Sequence, residues 1–109
     1  MTESFAQTPA PPYVAVIFTS RRKLEDDDGY AAMAGEMERL ADGQDGYLGI
    51  ESARDAEGLG ITVSYWRDME SVRAWKRHAD HIAAQKLGRA KWYADYTVRV
   101  AVVERAYGM

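Results

Sequence analysis

The chain has 109 residues, 28% of them charged and 47% hydrophobic, with a net charge of −3. This balance is typical of a soluble globular domain, and no basic face is available for nucleic acid. The absence of cysteine excludes disulfides, thiolate nucleophiles and cysteine-ligated metals. The longest apolar run, Val14 to Phe18, is far shorter than the roughly 20 residues that cross a bilayer, and no signal peptide pattern is present. We therefore expect a cytoplasmic protein with no membrane partner.

The first twelve residues differ in composition from the rest of the chain. They are rich in small and polar types and end in two prolines, Pro11 and Pro12, which donate no backbone hydrogen bonds. We predict a flexible N-terminal tail over residues 1–12. A single folded domain is predicted over residues 13–109.

The first four elements follow from the spacing of apolar residues. A strand over residues 13–20 carries apolar side chains on both of its alternating sets. An amphipathic helix follows, capped by the aspartates at 26–28 and ending before Gly43. Residues 46–54 and 59–66 flank the turn at 55–58, which predicts a β-hairpin with Gly58 in a conformation that other residues avoid.

The last two elements are a helix and a strand. Asp68 is predicted to cap a second helix with Trp75 on its inward face, and helical pieces continue past a break at Gly88 to about Tyr93. The final strand covers residues 97–104. It alternates apolar side chains on both faces and looks covered on both, with Val98, Val100 and Val102 on one face and Ala101 and Val103 on the other.

The order strand, helix, strand, strand, helix, strand predicts an α+β protein. It is the ferredoxin-like βαββαβ arrangement, a four-stranded antiparallel sheet with two helices on one face. Because three strands are apolar on both faces, several hundred Å² of sheet would stay wet in a monomer. We therefore predict a homodimer in which two sheets pack face to face.

Several motifs look familiar when they are taken together. They are SYW at 64–66, AWK at 74–76, H-x-x-H at 78–81, AQ at 84–85, G-x-x-x-WY at 88–93, GYLGIES at 46–52 and RVAVVERAY at 99–107. Over nearly the whole chain after the tail, these residues resemble the antibiotic biosynthesis monooxygenase (ABM) domain family. The resemblance implies a dimeric α+β barrel. It also implies oxidation of aromatic phenols or quinols by molecular oxygen, with no metal or flavin cofactor.

The sequence departs from that family in one residue type. The cofactor-free oxygenases and a related haem-degrading branch are both associated with a pocket asparagine, and this chain contains none. In the haem-degrading pattern, a tryptophan in the second helix precedes the iron-binding histidine by ten residues. Trp75 matches the tryptophan, but Gln85 stands in place of the histidine. An amide is a poor iron ligand, so haem degradation is the less favoured activity.

The candidate site combines two histidines with aromatic residues. His78 and His81 are three residues apart on one helix, and either can act as a general base, with the family motif favouring His81. A small planar aromatic molecule would bind against a pocket wall built from Trp66, Trp75, Tyr93 and Gln85. No metal site is predicted, because a third and a fourth ligand are not apparent.

Each of these features also has a purely structural interpretation. The histidine pair can be a solvated helix end, and the aromatic cluster can be ordinary core. The leading hypothesis is a cofactor-independent, monooxygenase-like enzyme. The alternative is a non-catalytic dimeric protein that binds a small ligand or serves in a stress response.

Overall fold

The computed structural model of the chain describes residues 5–23, 29–85 and 93–109, with side chains in the second helix described as far as Ile82. The elements follow the predicted order. They are β1 (Tyr13–Arg22), α1 (Tyr30–Asp42), β2 (Tyr47–Arg54), β3 (Leu59–Trp66), α2 (Met69–Gln85) and β4 (Tyr93–Val103).

The four strands form one antiparallel sheet in the order β2-β3-β1-β4. The central strand β1 pairs with β3 from Val14 opposite Trp66 to Arg21 opposite Leu59. On its other side β1 pairs with β4, beginning with Tyr13 opposite Val103. This topology confirms the predicted ferredoxin-like α+β fold.

The two faces of the sheet differ in what covers them. Residues directly opposite each other on antiparallel strands point to the same face, so Val14 and Trp66 share a face. Both belong to the buried core, together with Ala41 of α1 and Val72 of α2. We call this side the helix face. The opposite side, which carries Tyr13 and Tyr65, is the open face.

Apolar side chains remain exposed on both faces. On the open face, Leu59 and Ile61 are 44% and 47% exposed. On the helix face, three valines of β4 are about half exposed, and we call them the β4 strip: Val98, Val100 and Val102. In the single chain, neither face of β4 therefore has the cover that its apolar pattern predicts. Cover from a second chain stays a prediction.

Residues 5–12, which we call the N-terminal arm, contact the open face. The Ala6 N–H donates to Glu51 Oε2 at 2.9 Å, and the Thr8 hydroxyl donates to the Tyr13 hydroxyl at 3.1 Å. A Cβ atom on Gly49 would lie 2.8 Å from the Ala6 Cβ, so the arm passes close over β2. The predicted flexibility of this segment stays a prediction.

Several element boundaries differ from those predicted: β1 ends at Arg22 and not at residue 20, and Tyr93, where helical pieces were expected to end, lies in a strand. The last strand begins at Tyr93 and not at residue 97, because β1 extends to Arg22 and offers Tyr93 a pairing partner across a bulge. Helix α1 has Gly29 at its N-cap position, with no side-chain cap. The aspartates predicted to cap α1 lie outside the described residues, as does the break predicted at Gly88.

Two local predictions are confirmed. Gly58 in the hairpin turn has a φ of 98°, a conformation that favours glycine. Asp68 accepts the Ser71 N–H at 2.8 Å and so caps α2. Within the described residues, neither helix has the length and apolar character to cross a bilayer.

Candidate functional site

One end of the helix face is a cluster of aromatic rings around Trp66. This side chain is fully buried, and its indole N–H donates to the Ser64 hydroxyl at 2.9 Å. The ring of Trp75 stacks on it with centroids 5.7 Å apart and an interplanar angle of 22°. Tyr47 meets Trp66 edge to face at 5.5 Å. Two of the predicted wall residues, Trp66 and Trp75, are therefore in direct contact.

The two histidines of α2 have different environments. His78 is partly buried, and its ring centroid lies 5.9 Å from that of Trp75. Its Nε2 atom is enclosed and has no hydrogen-bond partner among the described residues. His81, by contrast, is exposed. Only His78 is thus joined to the tryptophan stack, although the spacing had allowed both histidines to share one side.

The other end of the helix face holds a second aromatic cluster. The ring centroid of Phe18 lies 5.3 Å from those of both Tyr93 and Tyr96. The Tyr93 ring meets the Tyr30 ring edge to face, with centroids 5.8 Å apart. The hydroxyl of Tyr93 donates to that of Tyr30 at 3.4 Å. The predicted wall residue Tyr93 therefore belongs to this second cluster and not to the tryptophan stack.

Two arginines join the second cluster. The Arg22 guanidinium carbon lies 4.3 Å from the centroid of the Tyr30 ring, and that of Arg54 lies 5.7 Å from the same centroid. Arg54 is also 5.9 Å from the centre of Tyr93. Guanidinium groups favour such positions over aromatic faces. We call Arg22, Arg54, Tyr30 and Tyr93 the arginine–tyrosine cluster.

Between the two clusters, the sheet supplies an apolar floor. Val16 packs against the core cluster, and Val100 lies opposite it on β4. Phe18 lies opposite Val98, which is about half exposed. The helices therefore leave a strip of the helix face open along β4, beside partly buried aromatic side chains. Such an apolar surface with a few polar groups at its edges suits a small organic ligand.

Sequence reasoning missed Arg54 and Tyr30 as members of this site. The sequence patterns place Tyr30 in the first amphipathic helix and Arg54 at the end of a hairpin strand, and neither pattern indicates a ligand contact. The pairing of Arg54 with Gly60 was the available signal, because a long side chain can lie over a residue that has no Cβ. The side chain of Gln85 lies outside the described part of α2, so its predicted contact with ligand stays a prediction.

Charged groups near the start of α2 serve the structure. Arg67 bridges Asp45, with Nη2 and Oδ2 3.0 Å apart, and its Nε contacts Asp68 at 3.2 Å. The hydrogen bond from Arg67 is the main cause that lowers the pKa of Asp45. The Ser71 backbone N–H is the main cause that lowers the pKa of Asp68. Among the described residues, no three acidic or histidine side chains are grouped to hold a metal ion.

Sequence comparisons agree with the fold. Residues 13–87 match the family model described as antibiotic biosynthesis monooxygenase. The chain is 50% identical over 105 residues to the uncharacterized protein YqjZ of Bacillus subtilis, covering 96% of this chain and 91% of that one. It is 33% identical over 93 residues to a protein of Pyricularia oryzae named jasmonate monooxygenase ABM, covering 82% of this chain but 42% of that relative.

Solved structures share the architecture at low sequence identity. PA3566 from Pseudomonas aeruginosa matches with a TM-score of 0.66 and 13% identity, covering 91% of this chain and 99% of that one. Rv0793 from Mycobacterium tuberculosis matches with a TM-score of 0.65 and 16% identity, covering 88% of this chain and 97% of that one. The architecture defines an α+β protein of the ferredoxin-like class. Because the family model matches residues 13–87, which are more than half of the chain, the chain belongs to the antibiotic biosynthesis monooxygenase family.

Proposed function

We propose that this protein is a cofactor-independent monooxygenase that oxidises a small planar phenol or quinol. The family assignment supports an ABM-type protein. The observation that carries the catalytic part is His78, whose ring borders Trp75 and whose enclosed Nε2 atom has no hydrogen-bond partner in the part of the chain that the structure describes. A ring nitrogen with no partner, in a place from which water is largely excluded, can serve as a general base once the substrate displaces the side chains that cover it.

In this proposal His78 takes a proton from the substrate and the aromatic wall holds the ring. The resulting carbanion gives electrons to molecular oxygen, a C–O bond forms, and the hydroperoxide loses water. For an anthrone-type substrate, one CH₂ group and one O₂ become one C=O group and one H₂O. The protein contributes the base, the orientation of the ring and an apolar surrounding.

The test is oxygen uptake with a panel of anthrones and quinols. His78→Gln should lower kcat by about 10²- to 10⁴-fold if it removes the general base. His81→Gln separates the two candidates, because an equal or larger loss in that variant would transfer the role to His81. Arg73→Gln, an exposed change on the same helix, controls for general damage to α2. Full activity of His78→Gln would remove His78 from the mechanism.

The second candidate function is non-catalytic binding of a small apolar ligand. It is favoured by the half-exposed valines of the β4 strip, which offer an apolar surface for a ligand without a catalytic group. A binding protein gains thermal stability from its ligand, because the ligand binds only the native state. Stabilisation by the same panel without oxygen uptake would support this alternative. A Soret band on titration with haemin would instead indicate haem handling.

The proposal includes a homodimer. Exposed Leu59 and Ile61 on the open face form apolar surface that a second chain can bury. Sedimentation equilibrium should give about twice the chain mass of 12.2 kDa. A folded monomer in dilute solution would contradict the dimer and leave the fold unaffected.

A further inference from the structure

The arginine–tyrosine cluster contains a cation that is held in place by uncharged groups. Arg54 lies across Gly60, where an added Cβ would come within 2.5 Å of the guanidinium carbon. Its Nη2 donates to the Ser20 hydroxyl at 2.6 Å, and its Nη1 donates to the Gly58 carbonyl. The missing side chain of Gly60 therefore makes room for the guanidinium on the helix face.

The charge of Arg54 is not neutralised within the described residues. Its hydrogen-bond acceptors there are a hydroxyl and backbone carbonyls, and its other contacts are the rings of Tyr30 and Tyr93. The residue is partly buried, so its guanidinium has lost part of its hydration. Arginine gains most from a carboxylate, which can accept two of its N–H groups at once.

The surroundings strengthen the attraction for an anion. The second guanidinium of the cluster, on Arg22, lies over the same Tyr30 ring. The Tyr30 hydroxyl accepts the hydrogen bond from Tyr93, so its own proton can be donated to a carboxylate oxygen.

The cluster also borders the open strip. Tyr96 is 43% exposed and contacts both Phe18 and Tyr93, and the half-exposed Val98 lies opposite Phe18. A flat molecule lying along Val98 and Val100 would reach the cluster with one end. Its other end would lie beside Val16, which packs against the same core cluster as Trp75. The separation of the two clusters along the sheet thus gives a ligand two distinguishable ends.

We propose that the arginine–tyrosine cluster is an anion-binding subsite and that the ligand is an aromatic acid, whose carboxylate binds Arg54 while its ring lies on the apolar floor. This inference rests on the proposed function, since it names the substrate class of the same site. It adds that a neutral phenol binds more weakly than the same phenol bearing a carboxylate.

The experiment compares a hydroxynaphthoate with the corresponding naphthol by isothermal titration calorimetry. The wild-type protein should bind the acid at least about tenfold more tightly, as expected for a hydrogen bond to a charged group. The preference should fall as salt is raised, because the attraction between the charges is screened. Naphthol binding should change little with salt.

Two variants test the role of Arg54, and a third controls for the change in net charge. Arg54→Gln should abolish the preference for the acid and leave naphthol binding nearly unchanged. Gly60→Ala keeps Arg54 in the sequence but displaces its guanidinium, so it should reduce the preference in the same direction. Arg99→Gln removes one positive charge from the open face and should preserve the preference.

The outcomes separate this inference from the proposed function. Equal wild-type affinity for acid and naphthol would overturn the subsite and leave aromatic binding intact. Binding of neither compound would overturn both. A preference that persists in Arg54→Gln, or that disappears in Arg99→Gln, would also contradict a subsite built on Arg54. If Arg54→Gln and Gly60→Ala do not fold, the wild-type preference and its salt dependence still decide the matter.

Discussion

The Tyr65 hydroxyl donates a hydrogen bond of 2.6 Å to Glu51 Oε1, linking β3 to β2 across the open face. The second carboxylate oxygen accepts the Ala6 N–H from the N-terminal arm. One side chain thus joins two strands and the arm. The Tyr65 ring also meets Tyr13 edge to face at 5.8 Å, so the arm end of the open face has its own aromatic contact.

Removing the carboxylate should release the arm. In Glu51→Ala the Ala6 N–H loses its acceptor, so we expect its amide to exchange with solvent faster in hydrogen exchange experiments. Tyr65→Phe is the matched control, because it keeps the Glu51 carboxylate and so should retain most of the protection at Ala6. Unchanged exchange at Ala6 in Glu51→Ala would show that the hydrogen bond does not hold the arm.

The hydrogen-bonded pair of Tyr65 and Glu51 also predicts that the protein loses stability in alkali. Burial first, and then the hydrogen bond to Glu51, raise the pKa of Tyr65 from 10.0 to about 12. The folded state therefore favours the neutral phenol, and this contribution to stability is complete below pH 10 and is lost as the pH rises towards about 12. The free energy of unfolding, measured with urea, should fall less over this pH range in Tyr65→Phe than in the wild type. Tyr107→Phe, at a side chain that is 85% exposed, should decline like the wild type.

Trp66 should be the most costly single truncation in the core. Trp66→Ala removes a fully buried indole, its stacking on Trp75 and its hydrogen bond to Ser64. We expect the free energy of unfolding to fall by about 3–5 kcal/mol, measured by urea denaturation. Tyr107→Ala serves as the exposed control and should change it little. A loss in Trp66→Ala as small as that control would contradict the core described above.

Two glycine-to-alanine substitutions should change the free energy of unfolding in opposite directions. Gly35 lies in α1 with open space around it, so Gly35→Ala should raise the free energy of unfolding by about 0.5–1 kcal/mol. Gly46 has a φ of +86°, and an added Cβ would lie 2.6 Å from the Ser71 Cβ. Gly46→Ala should therefore cost at least about 2 kcal/mol through backbone strain and overlap. Thermal unfolding of both variants tests this prediction, and equal changes in Tm in the two variants would contradict it.

Most of the fold could be predicted because apolar spacing is a local signal. The hairpin bounds at Arg54 and Leu59 were set by a short turn, and Asp68 marked the start of α2. The start of β4 could not be set in the same way. Tyr93 joins the sheet only because Arg22 extends β1, and such pairing between distant segments leaves no local pattern.

The site was less predictable than the fold. Trp75 and Trp66 were assigned to one wall on their strand and helix positions, and their stacking follows from those positions. The spacing of His78 and His81 did not distinguish them, because burial depends on how α2 rotates against the sheet. The arrangement of Arg54 over Gly60 required the strand register, which composition does not reveal.

The close passage of Ala6 over Gly49 has a consequence for assembly. Because the arm is tethered to its own sheet, it meets that surface at an effective concentration in the millimolar range, whatever the amount of protein in solution. A second chain that packs against the open face must therefore displace the arm or incorporate it into the contact. Shortening the chain at its first residues would change the competition for this surface without altering a single strand.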